Sequence, residues 1–362
     1  MNDNIYPQQF RLRDVLEVAV KLEASDTHLV IGRPPIFRIQ GKLKVMDALP
    51  IDAGALQEMI YEILTVRQRR IFEETCELDF SYLSVKGYYF RINVHRQKGS
   101  VAATIRIMPG MMKTLSDLGL SPVVAELTMR RVGLILIVGR AGMGKTTTMM
   151  HMIERINTER EAKIVTIEDP IEMIYESKKS LIVQREVGID TQSFAMGLKY
   201  ALRQDPDVVV VGEMRDSESI AMALTAAETG HLVLATLHSP DAIEAINRII
   251  DVYPGEKQNQ IRVLLAENLV AVIAQQLLPR KDCESRVLAT EMMISNIAIK
   301  NLIRRDSLAE IRSQMESGRD GAYTLEQCLS RLFQEGVITA EVALSHAKYP
   351  QLLKLTSYEQ EN

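Results

Sequence analysis

Gly133-Leu-Ile-Leu-Ile-Val-Gly-Arg-Ala-Gly-Met-Gly-Lys-Thr146 is a short apolar run that ends in a glycine-rich turn and a Lys-Thr pair. From Gly139 onward it fits the pattern G-x-x-x-x-G-K-[ST], fed by a strand and left by a helix-length segment, which is the context a phosphate-binding loop requires. Gly139, Gly142 and Gly144 let the backbone curl until successive N–H groups point inward, and the helix that follows adds the positive end of its dipole. Lys145 supplies a mobile cation for the β- and γ-phosphates, and Thr146 a hydroxyl for a magnesium ion. Thr147, next on the helix, is placed with them at the nucleotide. The stretch predicts an α/β nucleotide-binding domain that takes ATP with Mg2+. A chance match to a glycine-rich turn is the alternative, and the flanking strand and helix argue against it.

Outward from the loop, the chain keeps a strand-then-helix rhythm from Leu118, the signature of a parallel sheet covered by helices. Lys163–Glu168, Asp207–Glu213 and His231–His238 read as further strands. Val208–Val211 is the unbroken apolar run of a strand buried on both faces, and it leads into Gly212-Glu213. A carboxylate at that strand end can hold magnesium, partly through water, or place the attacking water. Glu168-Asp169-Pro170-Ile171-Glu172 is a second acidic group behind a strand, and hydrolysis needs a group that orients or deprotonates water. Spacing alone leaves Glu168, Asp169 and Glu172 open for that role. His231 and His238 bracket one strand, and their odd separation puts them on opposite faces, which speaks against a shared metal site. At the strand's C-terminal end, His238 is placed to sense the nucleotide or a neighbouring subunit. His151 reads as structural. From about Ile261, helical periodicity dominates.

Residues 10–108 read as a separate mixed α/β unit. Leu12–Leu22 and Gln57–Phe72 have helical spacing, and His28–Ile31, Ile36–Ile39, Asp79–Leu83, Tyr88–Asn93 and Val101–Ile107 read as strands, punctuated by Pro34-Pro35 and Gly41. Pro109-Gly110 breaks the pattern, which divides the chain into an N-terminal domain at 1–110, a linker at 111–118 and a second domain at 119–362. A length of 362 residues suits two domains. The chain is 46% hydrophobic and 25% charged with a formal net charge of -4, so it carries no basic footprint of a dedicated nucleic-acid binder. Cys76, Cys283 and Cys328 form no CxxC pair, so no zinc or disulfide framework is predicted, and reduced thiols in a cytosol fit best. The polar N-terminus argues against a signal peptide, and no apolar stretch approaches a membrane span. The C-terminal tail is polar and expected to fray.

Together these residues resemble a known family. Thr166-Ile-Glu-Asp-Pro-Ile-Glu172 resembles the aspartate box of the type II/IV secretion-system ATPases. Gly212-Glu-Met-Arg-Asp216 resembles their atypical Walker B motif, and Thr229-Gly-His-Leu-Val-Leu-Ala-Thr-Leu-His238 their histidine box. Ala298-Ile-Lys-Asn-Leu-Ile-Arg304 resembles the AIRNLIR motif of the PilT-type type IV pilus retraction ATPases, and Ser25-Asp-Thr-His28 their SDxH element. The resemblance spans essentially the whole chain.

It implies a PAS-like N-terminal domain, a RecA-like motor domain with a helical C-terminal part, and a homohexameric ring with ATP at the cleft between domains. By motif position it implies Glu172 as catalytic base and Glu213 as the Walker B acid, with His231 and His238 coupling nucleotide state to movement. Arg91, Arg96 and Arg106 lie in a segment like the family's arginine-bearing strands and become candidate arginine fingers, with ordinary strand-surface charges as the alternative. The implied place is the cytoplasmic face of the inner membrane at the pilus base. The implied partners are an inner-membrane platform protein and a second pilus ATPase, with no nucleic acid and with membrane association only through partners. The sequence departs from the family in Arg140-Ala-Gly-Met143, in Lys98 and in Arg305. It shows neither the tetracysteine zinc motif nor the longer N-terminal region of the assembly ATPases, which favours the retraction class. The expected activity is ATP hydrolysis driving pilus retraction and twitching motility. A PilU-like accessory subunit with weak activity of its own is the alternative, and a nucleic-acid translocase, disfavoured by the acidic balance, is the third reading.

Overall fold

The computed structural model describes residues 11–84, 87–108, 118–282 and 285–355. They fall into two compact units, one of residues 11–108 with Pro170–Ile174, the other of residues 118–169 and from Tyr175 onward. Of the expected linker only Leu118 is described, and Cys283 and the C-terminal tail from 356 lie outside the described residues.

The first unit opens with α1 (Leu12–Lys21), whose Leu12, Val15, Leu16 and Ala19 recur at helical spacing and are buried. Strands β1 (Asp26–Leu29), β2 (Ile36–Ile39) and β3 (Lys42–Val45) follow, then α2 (Ala53–Tyr61) and α3 (Val66–Thr75), then β4 (Glu77–Leu83), β5 (Tyr89–Gln97) and β6 (Ser100–Ile107). The strands form one antiparallel sheet in the order β3-β2-β1-β6-β5-β4. Phe37, Phe80, Phe90, Ile92 and Ile105 of the sheet pack with Leu12, Leu16, Leu56, Ile60 and Phe72 of the helices. The single helix expected at Gln57–Phe72 is two. Thr65 starts α3 with a capping box, its hydroxyl accepting from the Gln68 N–H while the Gln68 side chain accepts from the Thr65 N–H. Strand β3 was not anticipated, because every residue of it is exposed and its apolar alternation faces no core.

The second unit carries α4 (Pro122–Leu127), β7 (Gly133–Val138), α5 (Lys145–Glu159), β8 (Lys163–Glu168), β9 (Leu181–Glu186), α6 (Phe194–Ala201), β10 (Val208–Val211), α7 (Ser217–Glu228), β11 (Leu232–Leu237), α8 (Ala242–Asp251) and α9 (Gly255–Asn268). It continues with β12 (Leu269–Pro279), β13 (Arg286–Ile294), α10 (Ile297–Arg304), α11 (Ile311–Glu316), α12 (Leu325–Gln334) and α13 (Ala340–His346). The sheet order is β13-β12-β7-β11-β10-β8-β9. Its pairs are parallel except for the β12–β13 hairpin. All residues of β7, β10 and β11 are buried, as strands covered on both faces require. Leu134, Leu136, Val209, Val211, Val233 and Ala235 share one core with α6 to α9, and α5 packs on β7 and β11.

Helical periodicity from Ile261 holds to Asn268 and resumes in α10 to α13, but the stretch between is not helix. Leu269–Pro279 and Arg286–Ile294 are strands, because a run buried on both sides of a sheet has no alternation to separate it from a buried helix. Helices α12 and α13 then pack on this hairpin through Leu278, Ala289, Cys328, Leu329 and Ala343.

Candidate active site

Strand β7 delivers Gly139 at its C-terminal end with φ of +154°, and a Cβ there would lie 2.7 Å from the Gln275 backbone oxygen of β12. Only glycine fits between the two backbones. Helix α5 begins at Lys145 with Gly144 as N-cap, a left-handed residue with no side chain to occupy the first-turn amides. Lys145 is buried, and its Nζ donates to the Gly139 and Arg140 carbonyls at 2.9 and 3.1 Å. Thr146 and Thr147 stand exposed beside it. The Met143 sulfur accepts from the Leu277 N–H at 3.3 Å, so the unusual cradle residue ties the loop to β12. Gln275 donates to the Thr148 hydroxyl at 2.7 Å, adding a second tie between β12 and α5. His151 bonds the Thr147 carbonyl at 2.6 Å, within its own helix.

Because β10 and β11 are parallel neighbours, their C-terminal ends lie side by side. His238, just past β11, places Nδ1 3.3 Å from Lys145 Nζ and Nε2 3.2 Å from Glu213 Oε1. A lysine ammonium can only donate, so Nδ1 accepts and the ring proton sits on Nε2, facing Glu213. The other Glu213 oxygen accepts from Arg215 Nε at 2.7 Å, and Arg215 Nη1 reaches Asp169 at 3.1 Å. Hydrogen bonding to Glu213 first, and then the charge of Glu213 and of Asp169, holds the Arg215 pKa above its ordinary value against the opposing effect of burial. The backbone under these groups is fixed. The Gly212 N–H donates to Ile167 at 2.8 Å and the Met214 N–H to Thr236 at 3.0 Å, and the Thr236 hydroxyl donates to the Gly212 carbonyl. The result is a polar chain from Lys145 through His238, Glu213 and Arg215 to Asp169. The sequence marks Arg215 only as part of a motif, and its position two residues past Glu213 is the signal for its place beside that acid.

The three acids left open by spacing are separated. Glu168 accepts from the Thr166 hydroxyl at 2.6 Å, Asp169 meets Arg215, and Glu172 lies in the first unit, 3.7 Å from Arg91. His231 stands at the N-terminal end of β11, its ring bonded to the Ala226 carbonyl at 2.9 Å, so the structure does not bring it to His238. Arg91 and Arg106 are cross-strand partners on β5 and β6. Arg106 donates to Asp26 at 2.9 Å. Burial pushes the Asp26 carboxyl up, but the bonds from Arg106 and Ser25 outweigh it and hold the pKa below the usual value. Arg96 donates to the Gly99 carbonyl of its own hairpin at 3.1 Å and lies over the Phe72 ring.

The glycine cradle, the lysine and the helix N-terminus fit a polyphosphate, and the hard oxygens of Thr146 and Glu213 fit magnesium. Among the described residues no helix is long and apolar enough to cross a membrane.

A family model described as type II/IV secretion system protein matches residues 7–355. The chain is 41% identical to a Pseudomonas aeruginosa protein named type IV pilus retractation ATPase PilT, over 94% of this chain and 99% of the relative. It is 40% identical to the twitching motility protein of Neisseria gonorrhoeae, over 87% of this chain and 84% of the relative. The crystal structure of the pilus retraction motor PilT with bound ADP aligns with a TM-score of 0.89 at 43% identity, covering 95% of this chain and 99% of that one. The expected architecture is therefore the one present, an α/β N-terminal domain followed by a RecA-like P-loop domain with a helical C-terminal part. The chain belongs to the type II/IV secretion system protein family, and within it to the PilT-type nucleotide-binding ATPases.

Proposed function

We propose that this chain is the ATP-hydrolysing motor of type IV pilus retraction, working as a homohexamer at the cytoplasmic face of the inner membrane. The observation that carries the reading is the polar chain from Lys145 to Asp169 at the cradle. Full-length likeness to a pilus retraction ATPase supports the biological setting. Bound ATP supplies the phosphoanhydride, and magnesium offsets the charge on its phosphates. Gly139, Gly142, Gly144 and Thr147 cradle phosphate oxygens through backbone amides, and Lys145 leaves its loop carbonyls for the β- and γ-phosphates. Thr146 and Glu213 would hold the magnesium ion. Glu172 takes the proton of the attacking water. His238 reads whether Lys145 is engaged, because one ring nitrogen faces Lys145 and the other Glu213, and His231 takes part in the same coupling from the far end of β11. Arg91 is the foremost arginine finger, since it already faces Glu172, with Arg106 and Arg96 behind it. The two domains divide at the segment 111–118. The partners are an inner-membrane platform protein and a second pilus ATPase.

The test is steady-state ATPase activity of the purified protein beside Glu172→Gln, with mass by light scattering and pilus retraction in a deletion strain. Turnover by a hexamer, lost in the mutant while ATP still binds, with unretracted pili in the deletion, is expected. A wild-type hexamer without turnover points to the accessory subunit, and DNA-stimulated turnover to a translocase. Normal retraction in the deletion strain ends the pilus assignment.

A further inference from the structure

The loop carrying Glu172 leaves the second unit after Asp169 and re-enters it at Tyr175. Both of its stems close on one side chain. Gln184, half-buried on the edge strand β9, accepts the Tyr175 N–H at Oε1, 2.9 Å away, and donates from Nε2 to Glu168 Oε1 at 3.1 Å. Gln184 lies in register with Thr166, whose hydroxyl donates to that same Glu168 oxygen. Beyond Tyr175 the returning chain is laid on α5, where Asn157 donates to the Glu176 carbonyl at 2.8 Å and accepts the Lys178 N–H at 2.9 Å. One amide therefore spans the outgoing and the returning stem, and Pro170 stiffens the first step of the loop.

We propose that Gln184 is a positioning residue for hydrolysis, fixing the stems of the loop so that Glu172 is presented at a set reach. The proposal rests on the reading of Glu172 as the base. An amide suits the place because its two ends lie in one plane and do opposite things, accepting from a backbone N–H and donating to a carboxylate. Leucine does neither. Glutamate offers a second carboxylate to Glu168, and repulsion between two carboxylates at that distance raises the pH at which the pair takes up a shared proton. Once protonated, the glutamate again accepts at one oxygen and donates at the other. A base displaced by a fraction of an ångström loses rate without loss of nucleotide binding, because Lys145 and the cradle are untouched.

The experiment is ATPase kinetics of the full-length hexamer with Gln184→Leu and Gln184→Glu beside wild type and Glu172→Gln. Gln184→Leu is expected to lower kcat by roughly tenfold to a hundredfold, while the KM for ATP, the affinity for ADP and the hexamer mass stay as in wild type. For Gln184→Glu the ratio of its kcat to that of wild type should rise as pH falls from about 8 toward about 6, a signature that lost packing does not produce. A folded Gln184→Leu hexamer with wild-type kcat overturns the positioning role, as does a Gln184→Glu ratio that does not change with pH. If Gln184→Leu does not fold, the pH series of Gln184→Glu decides alone. Loss of activity in Glu172→Gln together with full activity in Gln184→Leu rejects the positioning role only. Full activity in Glu172→Gln rejects the base assignment and the positioning role with it.

Discussion

The ring Nε2 of His238 lies 3.2 Å from the carboxylate of Glu213, across the C-terminal ends of two neighbouring parallel strands. The two residues are brought together by the sheet, and the imidazole joins Glu213 to Lys145 in the polar chain. Replacing His238 with alanine breaks that link and leaves the cradle glycines in place. Expected is a fall in kcat of about tenfold to a hundredfold, with fluorescent ADP still bound. His238→Gln, which keeps a donor near Glu213, should retain more activity than alanine. Equal loss in both would mean that the ring proton does not matter.

Gly139→Ala should damage nucleotide binding directly. The added methyl would meet the Gln275 backbone oxygen at 2.7 Å, and neither backbone can yield without shifting β7 or β12. The strained φ adds to the clash, so a loss of roughly 1–3 kcal/mol in stability and a clear rise in the nucleotide Kd are expected. Thermal unfolding and fluorescent-nucleotide titration check both.

Arg215 separates two carboxylates, Glu213 and Asp169. These groups are partly exposed, so solvent screens them, and Arg215→Met should cost under about 1 kcal/mol of stability. Its effect should appear in turnover, because Glu213 loses the partner that holds one of its oxygens. Lysine should not restore activity, since a single ammonium cannot span both acids as the guanidinium fork does. A change in Tm with unchanged kcat would contradict this.

Glu291 should make stability fall as pH rises. Burial pushes its pKa up to about 7, and the acids Asp241 and Glu326 add to that, while the Ala242 N–H and Arg312 act the other way. Between the ordinary carboxylate range and pH 7 the folded chain therefore holds a proton that the unfolded chain has released. Unfolding free energy declines with pH over that window and levels off above it, each pKa unit being worth about 1.4 kcal/mol. Glu291→Gln, neutral throughout and still able to accept the Ala242 N–H, should remove this slope and be the more stable protein at about pH 8. Urea midpoints across the window measure it, and an unchanged slope would assign the effect elsewhere.

Much of the second unit was legible because parallel strands buried on both faces write themselves as unbroken apolar runs, as Val208–Val211 does, and because the cradle glycines are demanded by backbone geometry. The split at Thr65 was missed because a capping box interrupts a helix without any glycine or proline. Strand β12 has the sequence pattern of a buried helix, since its burial on both sides erases alternation. Within the site, Lys145 and Glu213 were visible from motif and strand position alone. The sequence could not choose among Glu168, Asp169 and Glu172, because that choice depends on which partner each finds across the fold, Thr166, Arg215 or Arg91. Gln184 carried no signal, since its meaning lies in the two loop stems it joins.

The tight seat of Gly139 against Gln275 has a mechanical side. Strand β12 touches the phosphate loop through bare backbone and through Met143, and it reaches α5 through Thr148. Its hairpin partner β13 bears the layer of α12 and α13. At about 3.3 Å per residue the hairpin reaches nearly 30 Å, with no soft side chain interposed at its contact with Gly139. It can therefore act as a stiff lever, so that a load applied to the C-terminal helices is felt at the loop that grips the phosphates.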